Sequence, residues 1–123
     1  MVRIGQVVLG VTDMRRAVDF WTRALDYAPR EGETGDDWTV IDPVEGNGVP
    51  LALDVSRTPV HRHPRMHLDL FVPDAAGQAS EVERLVSLGA ERVAWDLYPD
   101  DPDFVVLADP EGNVFCVIDL SHG

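Results

Sequence analysis

Two stretches decide the fold: "QVVLGVTD" (Gln6–Asp13) and "HLDLFVPD" (His67–Asp74), which match at a constant offset of 61 residues. In the second, His67, Asp69 and Phe71 alternate with Leu68, Leu70 and Val72, and a Pro-Asp pair ends the run. Period-two alternation closed by turn residues predicts a strand with one face toward a core. The offset places Leu9 over Leu70, Val11 over Val72, Asp13 over Asp74, and Gln6 over His67. A second echo lies farther on, where "IDPVEGN" (Ile41–Asn47) and "ADPEGN" (Ala108–Asn113) each precede an apolar segment ending in aspartate, at Asp54 and Asp119. The chain is therefore predicted to be two copies of one unit, over 1–60 and 65–120.

Each copy reads as βαβββ. In the first, a strand in "IGQVVLGV" leads to Asp13, an N-cap whose carboxylate satisfies free helix N–H groups. Met14, Ala17, Val18, Trp21 and Leu25 then share one helical face, which predicts a helix over 13–26 with Trp21 in the core. Strands are predicted over 27–31, 37–42 and 49–56. In the second copy a helix is predicted over 77–88, with Ala79, Val82, Leu85 and Val86 inward and Gly89 as its stop. Ser80 and Glu83 form a second possible capping box for that helix. Strands follow over 91–98, 103–109 and 113–120, the last two joined by the turn Asp109-Pro110-Glu111-Gly112.

Composition narrows the function. With 123 residues the chain is one ordinary domain. Its 22 acidic residues against 10 basic ones give a formal charge of −12. That balance argues against nucleic acid and anionic membrane, whose phosphates need clustered Lys and Arg. The single cysteine, Cys116, can form no intrachain disulfide and fits a reducing compartment. "MVRIGQVVLG" holds no apolar run long enough for a signal peptide, so a cytoplasmic protein is expected.

The βαβββ duplication, with "GVTDMRRAVDFWTRAL" near the start and "LADPEGNVFCVID" near the end, resembles the glyoxalase/bleomycin-resistance/dioxygenase superfamily, the vicinal oxygen chelate proteins. The second half looks closest to its small glyoxalase-like subgroup. The resemblance implies an α+β fold whose curved mixed sheets form a cleft, and a homodimer. For metal-dependent members it implies one ligand on the first strand of each unit, falling here on Gln6 and His67, and one carboxylate on each last strand. This sequence departs from the second pair. Four residues after the Gly of the "DPEG" turn stands Cys116, where the family pattern has Glu. The matching position in "VPLALDV" falls on Leu51 by parallel spacing, or on Asp54 after a shift of one residue, since strand faces alternate.

Two neutral groups and one carboxylate make a poor site for Mg²⁺ or Mn²⁺. No resident cofactor is therefore expected, with a divalent metal on His67 and Gln6 as the alternative. His61 and His63, in the linker "HRHPRMH", are expected at the surface. Trp38, beside "ETGDD", and Trp95, beside "DLYPDD", each pair an aromatic with local acid in a predicted strand, which suits a flat cationic ligand. The expected function is binding of a small organic molecule, a drug or metabolite, by Gln6, Trp38, Asp54, His67, Trp95 and Cys116. The alternative is a metal-dependent lyase, isomerase or dioxygenase using Gln6 and His67.

Overall fold

The computed structural model describes residues Met1–Gly123, which divide into two compact units, Met1–Pro59 and Val60–Gly123. In the first unit β1 (Val7–Val11), α1 (Met14–Leu25), β2 (Tyr27–Thr34), β3 (Trp38–Pro43) and β4 (Leu51–Val55) follow in order. The second holds β5 (Leu68–Val72), α2 (Ala75–Leu88), β6 (Glu91–Arg92), β7 (Phe104–Ala108) and β8 (Val114–Asp119). Each unit is one helix on a four-stranded mixed sheet, in order β1-β4-β3-β2 and β5-β8-β7-β6. In both, the first strand runs parallel to the last and the other pairings are antiparallel. The duplicated βαβββ order read from the sequence is thus the fold.

One face of each sheet packs on its helix. In the first unit Val11, Ile41, Leu51 and Leu53 are buried with Ala17, Phe20 and Trp21 of α1. The Phe20 and Trp21 rings meet edge to face, 5.0 Å apart, so Phe20 joins Trp21 in the core although the sequence pattern left it out. In the second unit Val72, Leu107, Phe115 and Val117 are buried with Val82 and Leu85 of α2. Gln78, rather than the predicted Ala79, faces this sheet, and its amide donates to the carbonyls of Asp103 and Val117 at 3.0 Å each. Ala79 and Val86 point to solvent.

Both helices start at the aspartate that ends the repeated strand. Asp13 Oδ1 accepts from Arg16 N at 3.1 Å and Asp74 Oδ1 from Gly77 N at 2.7 Å. Helix α2 therefore begins at Ala75, earlier than predicted. The cap repeats with the strand, and it leaves Ser80 and Glu83 inside the helix. Gly89 ends α2 at φ 122 with its N–H on the last carbonyls, as read from the sequence.

The strand predicted over 91–98 is the largest local correction, because β6 stops at Arg92. Trp95 N bonds back to Val93 O at 2.8 Å, a turn that breaks the extended run. The edge of β7 is not left bare. Tyr98 Oη accepts from Val106 N at 2.7 Å, supplying the partner that a longer β6 would have given.

The β7–β8 turn is held by Asp109, which is 3% exposed. Its Oδ1 accepts from Glu111 N at 2.9 Å and Asn113 N at 2.8 Å, and Gly112 sits at φ 90. A left-handed residue there needs glycine. This turn fixes the register Ala108↔Val114 and Val106↔Cys116, and with it the face on which Cys116 lies.

Candidate functional site

Alternation on β5 puts Leu68, Leu70 and Val72 toward α2, and so His67, Asp69 and Phe71 on the helix-free face. The parallel register pairs Asp69 with Cys116 and Phe71 with Ile118, so Cys116 and Ile118 lie on that same face. His67 Nε2–H donates to Asp69 Oδ1 at 2.9 Å, with both side chains nearly half exposed. In a neutral imidazole this leaves Nδ1 with the free lone pair. Cys116 is 6% exposed. Burial, and next to it the Asp69 charge, push its thiol up to about 11, so at neutral pH it stays protonated in this surrounding. One donor atom from each of His67, Asp69 and Cys116 lies within 4.8 Å of the others. Phe71, 67% exposed, extends an apolar surface beside them.

Asp69 did not figure among the residues expected from the sequence. The signal was available: His67 and Asp69 are two apart in an alternating strand, hence on one face. Missing was the β5–β8 register, which alone brings Cys116 level with Asp69.

In the first unit the same logic places Gln6, Val8 and Gly10 on the helix-free face, with Ala52 beside Val8 and Asp54 beside Gly10. Val8 is the repeat partner of Asp69, so the counterpart of Cys116 is Ala52, not Leu51. Leu51 faces the core, 3% exposed. Asp54 lies on the helix-free face and is exposed, but in the wrong row. Val7 N bonds to Pro50 O at 3.2 Å, which puts Gln6 near Pro50, whereas Asp54 is level with Gly10. Four residues at about 3.3 Å each separate Gln6 from Asp54 by roughly 13 Å along the strands. The two cannot share one ion in this register.

Trp38 stands across from Asp54 on β3, and its Nε1–H donates to Glu33 Oε2 at 2.8 Å. On the same face Arg30 and Asp42 form a two-pronged pair at 2.8 and 2.7 Å. The guanidinium hydrogen bond holds the Asp42 carboxyl below its ordinary range. Trp95 lies outside the strands, in the segment after β6, with its ring 4.8 Å from that of His63. His63 in turn pairs with Asp96 at 2.7 Å, and Arg62 donates to Ala94 O at 2.8 Å. The start of the second unit is thereby strapped onto the segment that replaces β6.

Paired βαβββ units with these mixed sheets define the glyoxalase/bleomycin-resistance fold. Residues 6–118 match the family described as Glyoxalase-like domain, and the chain belongs to that family. A glyoxalase/bleomycin resistance protein/dioxygenase family enzyme from Burkholderia phytofirmans PsJN is similar at TM-score 0.76 and 16% identity, over 97% of this chain and 99% of that one. A glyoxalase-related enzyme from Fulvimarina pelagi gives 0.73 and 20%, over 98% and 90%. The fosfomycin resistance protein FosX from Listeria monocytogenes, in complex with Mn(II) and 1S,2S-dihydroxypropylphosphonic acid, gives 0.73 and 12%, over 96% and 90%. No curated protein matches the sequence. No helix is long and apolar enough to cross a membrane.

A divalent ion is the group this fold family implies, and the donor set was tested for it. The last-strand positions hold Ala52, with no donor, and Cys116, a neutral thiol. With Gln6 and His67 as the remaining pair, the set lacks the anionic oxygens that Mg²⁺ and Mn²⁺ favour. It does not fit a hard divalent ion.

Proposed function

We propose that the chain binds a small organic molecule, a drug or metabolite, on the helix-free faces of its sheets without the help of a hard metal ion. The observation that supports this most directly is the pair Ala52 and Cys116 at the last-strand positions, which removes both anionic ligands at once. What remains is a polar grip on an apolar bed. The His67–Asp69 pair offers one acceptor nitrogen and one anionic oxygen beside Phe71 and Ile118. Asp54, near Trp38 in the first unit, offers a carboxylate beside an indole. Both arrangements suit an amphipathic or cationic ligand, as does the charge of −12. Homodimers are the commonest assembly of soluble proteins, and this reading takes the working form as a cytoplasmic homodimer.

The test is a titration of the purified, metal-free chain with a panel of planar amines and amphipathic acids, followed by NMR. Perturbed His67, Phe71 and Trp38 signals with at least one probe are the expected outcome. A protein that holds about one Mn²⁺, Fe²⁺ or Ni²⁺ per chain, released by His67→Ala, would sink the proposal. Light scattering at micromolar concentration tests the dimer, and a monomer counts against that part.

A second reading, a metal-dependent lyase, isomerase or dioxygenase on Gln6 and His67, has one observation in its favour. The His67–Asp69 hydrogen bond is the carboxylate–imidazole pairing that orients metal-bound histidines elsewhere. Release of a hard metal by His67→Ala is the result that would install this reading.

A further inference from the structure

The mismatch with a hard ion has a positive side, because the second unit carries a donor set of a different character. His67 contributes an imidazole, Asp69 a carboxylate and Cys116 a sulfur, and one atom from each lies within 4.8 Å of the others. We infer that His67, Asp69 and Cys116 form a three-ligand site for Zn²⁺ or a similar thiophilic divalent ion, contained wholly within the second unit.

Three features of the chain carry this inference. The first is spacing. Tetrahedral zinc bonds of about 2.0–2.3 Å put neighbouring ligand atoms roughly 3.3–3.8 Å apart. Small rotations of two half-exposed side chains, His67 and Asp69, reach that from the present arrangement. The second is rigidity where it is needed. Cys116 lies in the middle of β8, with β5 on one side and β7 on the other, and the Asp109 turn sets its register. The sulfur is thus the fixed ligand, and the two ligands on the outer strand β5 close on it. The third is access. Asp69 and His67 side chains are 46% and 43% exposed, so an ion enters from solvent and finds one coordination position open after three protein ligands bind.

The donor chemistry also sets the selectivity. Thiolate and imidazole favour Zn²⁺, Co²⁺ and Cd²⁺ over Mg²⁺ and Mn²⁺. The site uses neither Gln6 nor any residue of the first unit. It stands independently of the small-molecule reading, and either can fail alone.

Cobalt is the probe. Co²⁺ added to the reduced, metal-free chain is expected to give a near-ultraviolet sulfur-to-cobalt charge-transfer band that saturates at one ion per chain. Zn²⁺ at equal concentration should displace it, and Mn²⁺ should not. Cys116→Ala and His67→Ala should each abolish the band, and Asp69→Asn should weaken binding at least tenfold. Far-UV circular dichroism checks that each variant is folded. His67→Ala and Asp69→Asn alter exposed side chains, so the test survives if Cys116→Ala misfolds. Absence of the band in folded wild type, its persistence in Cys116→Ala or His67→Ala, unchanged affinity in Asp69→Asn, or displacement by Mn²⁺ would each overturn the inference.

Discussion

The identity of residue 116 governs what the second sheet can hold. A thiol whose deprotonation burial opposes offers no charge to a hard cation, and Asp69 alone replaces only one of the missing anionic oxygens. Cys116→Glu restores a carboxylate at a position fixed by the β7–β8 turn. Its affinity for Mn²⁺ should rise by roughly tenfold or more, as read by calorimetric titration against wild type. The added bulk on β8 should cost about 1–3 kcal/mol of stability, so the titration belongs well below the melting point. Asp109 acts on the same position from a distance. Its buried carboxylate satisfies two turn N–H groups, and Asp109→Ala should destabilise the chain by about 1–3 kcal/mol in urea melts.

Among the elements, β6 shows how a strand signal can be overruled. "ERVAWDLYP" is apolar enough to read as a strand, yet the chain turns at Ala94 and lets a tyrosine hydroxyl cap the β7 edge. Tyr98→Phe removes that acceptor and leaves the Val106 N–H, in a residue 1% exposed, without it. The expected loss is about 1–3 kcal/mol, with faster amide exchange at Val106 and little change at β8. Unaltered exchange at Val106 would mean that water replaces the hydroxyl there. The start of α2 carries the opposite lesson. The repeat itself named the right cap, since Asp74 lies 61 residues after Asp13, and local capping rules applied to Ser80 drew the prediction away from it.

At the scale of the molecule, acid stability is one measurable consequence of the folded arrangement. The Arg30 hydrogen bond lowers the Asp42 pKa in the fold. Its stabilisation is therefore present above the unfolded value of about 4 and is lost as pH falls through the folded value. Both side chains are more than a third exposed, so solvent screening limits the effect to about 0.5–1 kcal/mol. Arg30→Ala should lower neutral-pH stability by that amount, and the difference should close at the acid end of a pH series. A gap constant down to the lowest pH would show that Arg30 acts through packing. The sequence by itself determined the duplication, the βαβββ order, the caps at Asp13 and Gly89, and the helix-facing cores, because hydrophobic period and turn chemistry are local properties. It also marked His67 as the polar exception on its strand. Only the tertiary structure decided that Cys116 stands beside Asp69, that its counterpart is Ala52, and that Asp54 lies about four residues along the strand from Gln6. Those facts depend on strand register, which the Asp109 turn and the parallel pairings set. A slip of one residue leaves the apolar pattern readable while moving every candidate ligand to the other face.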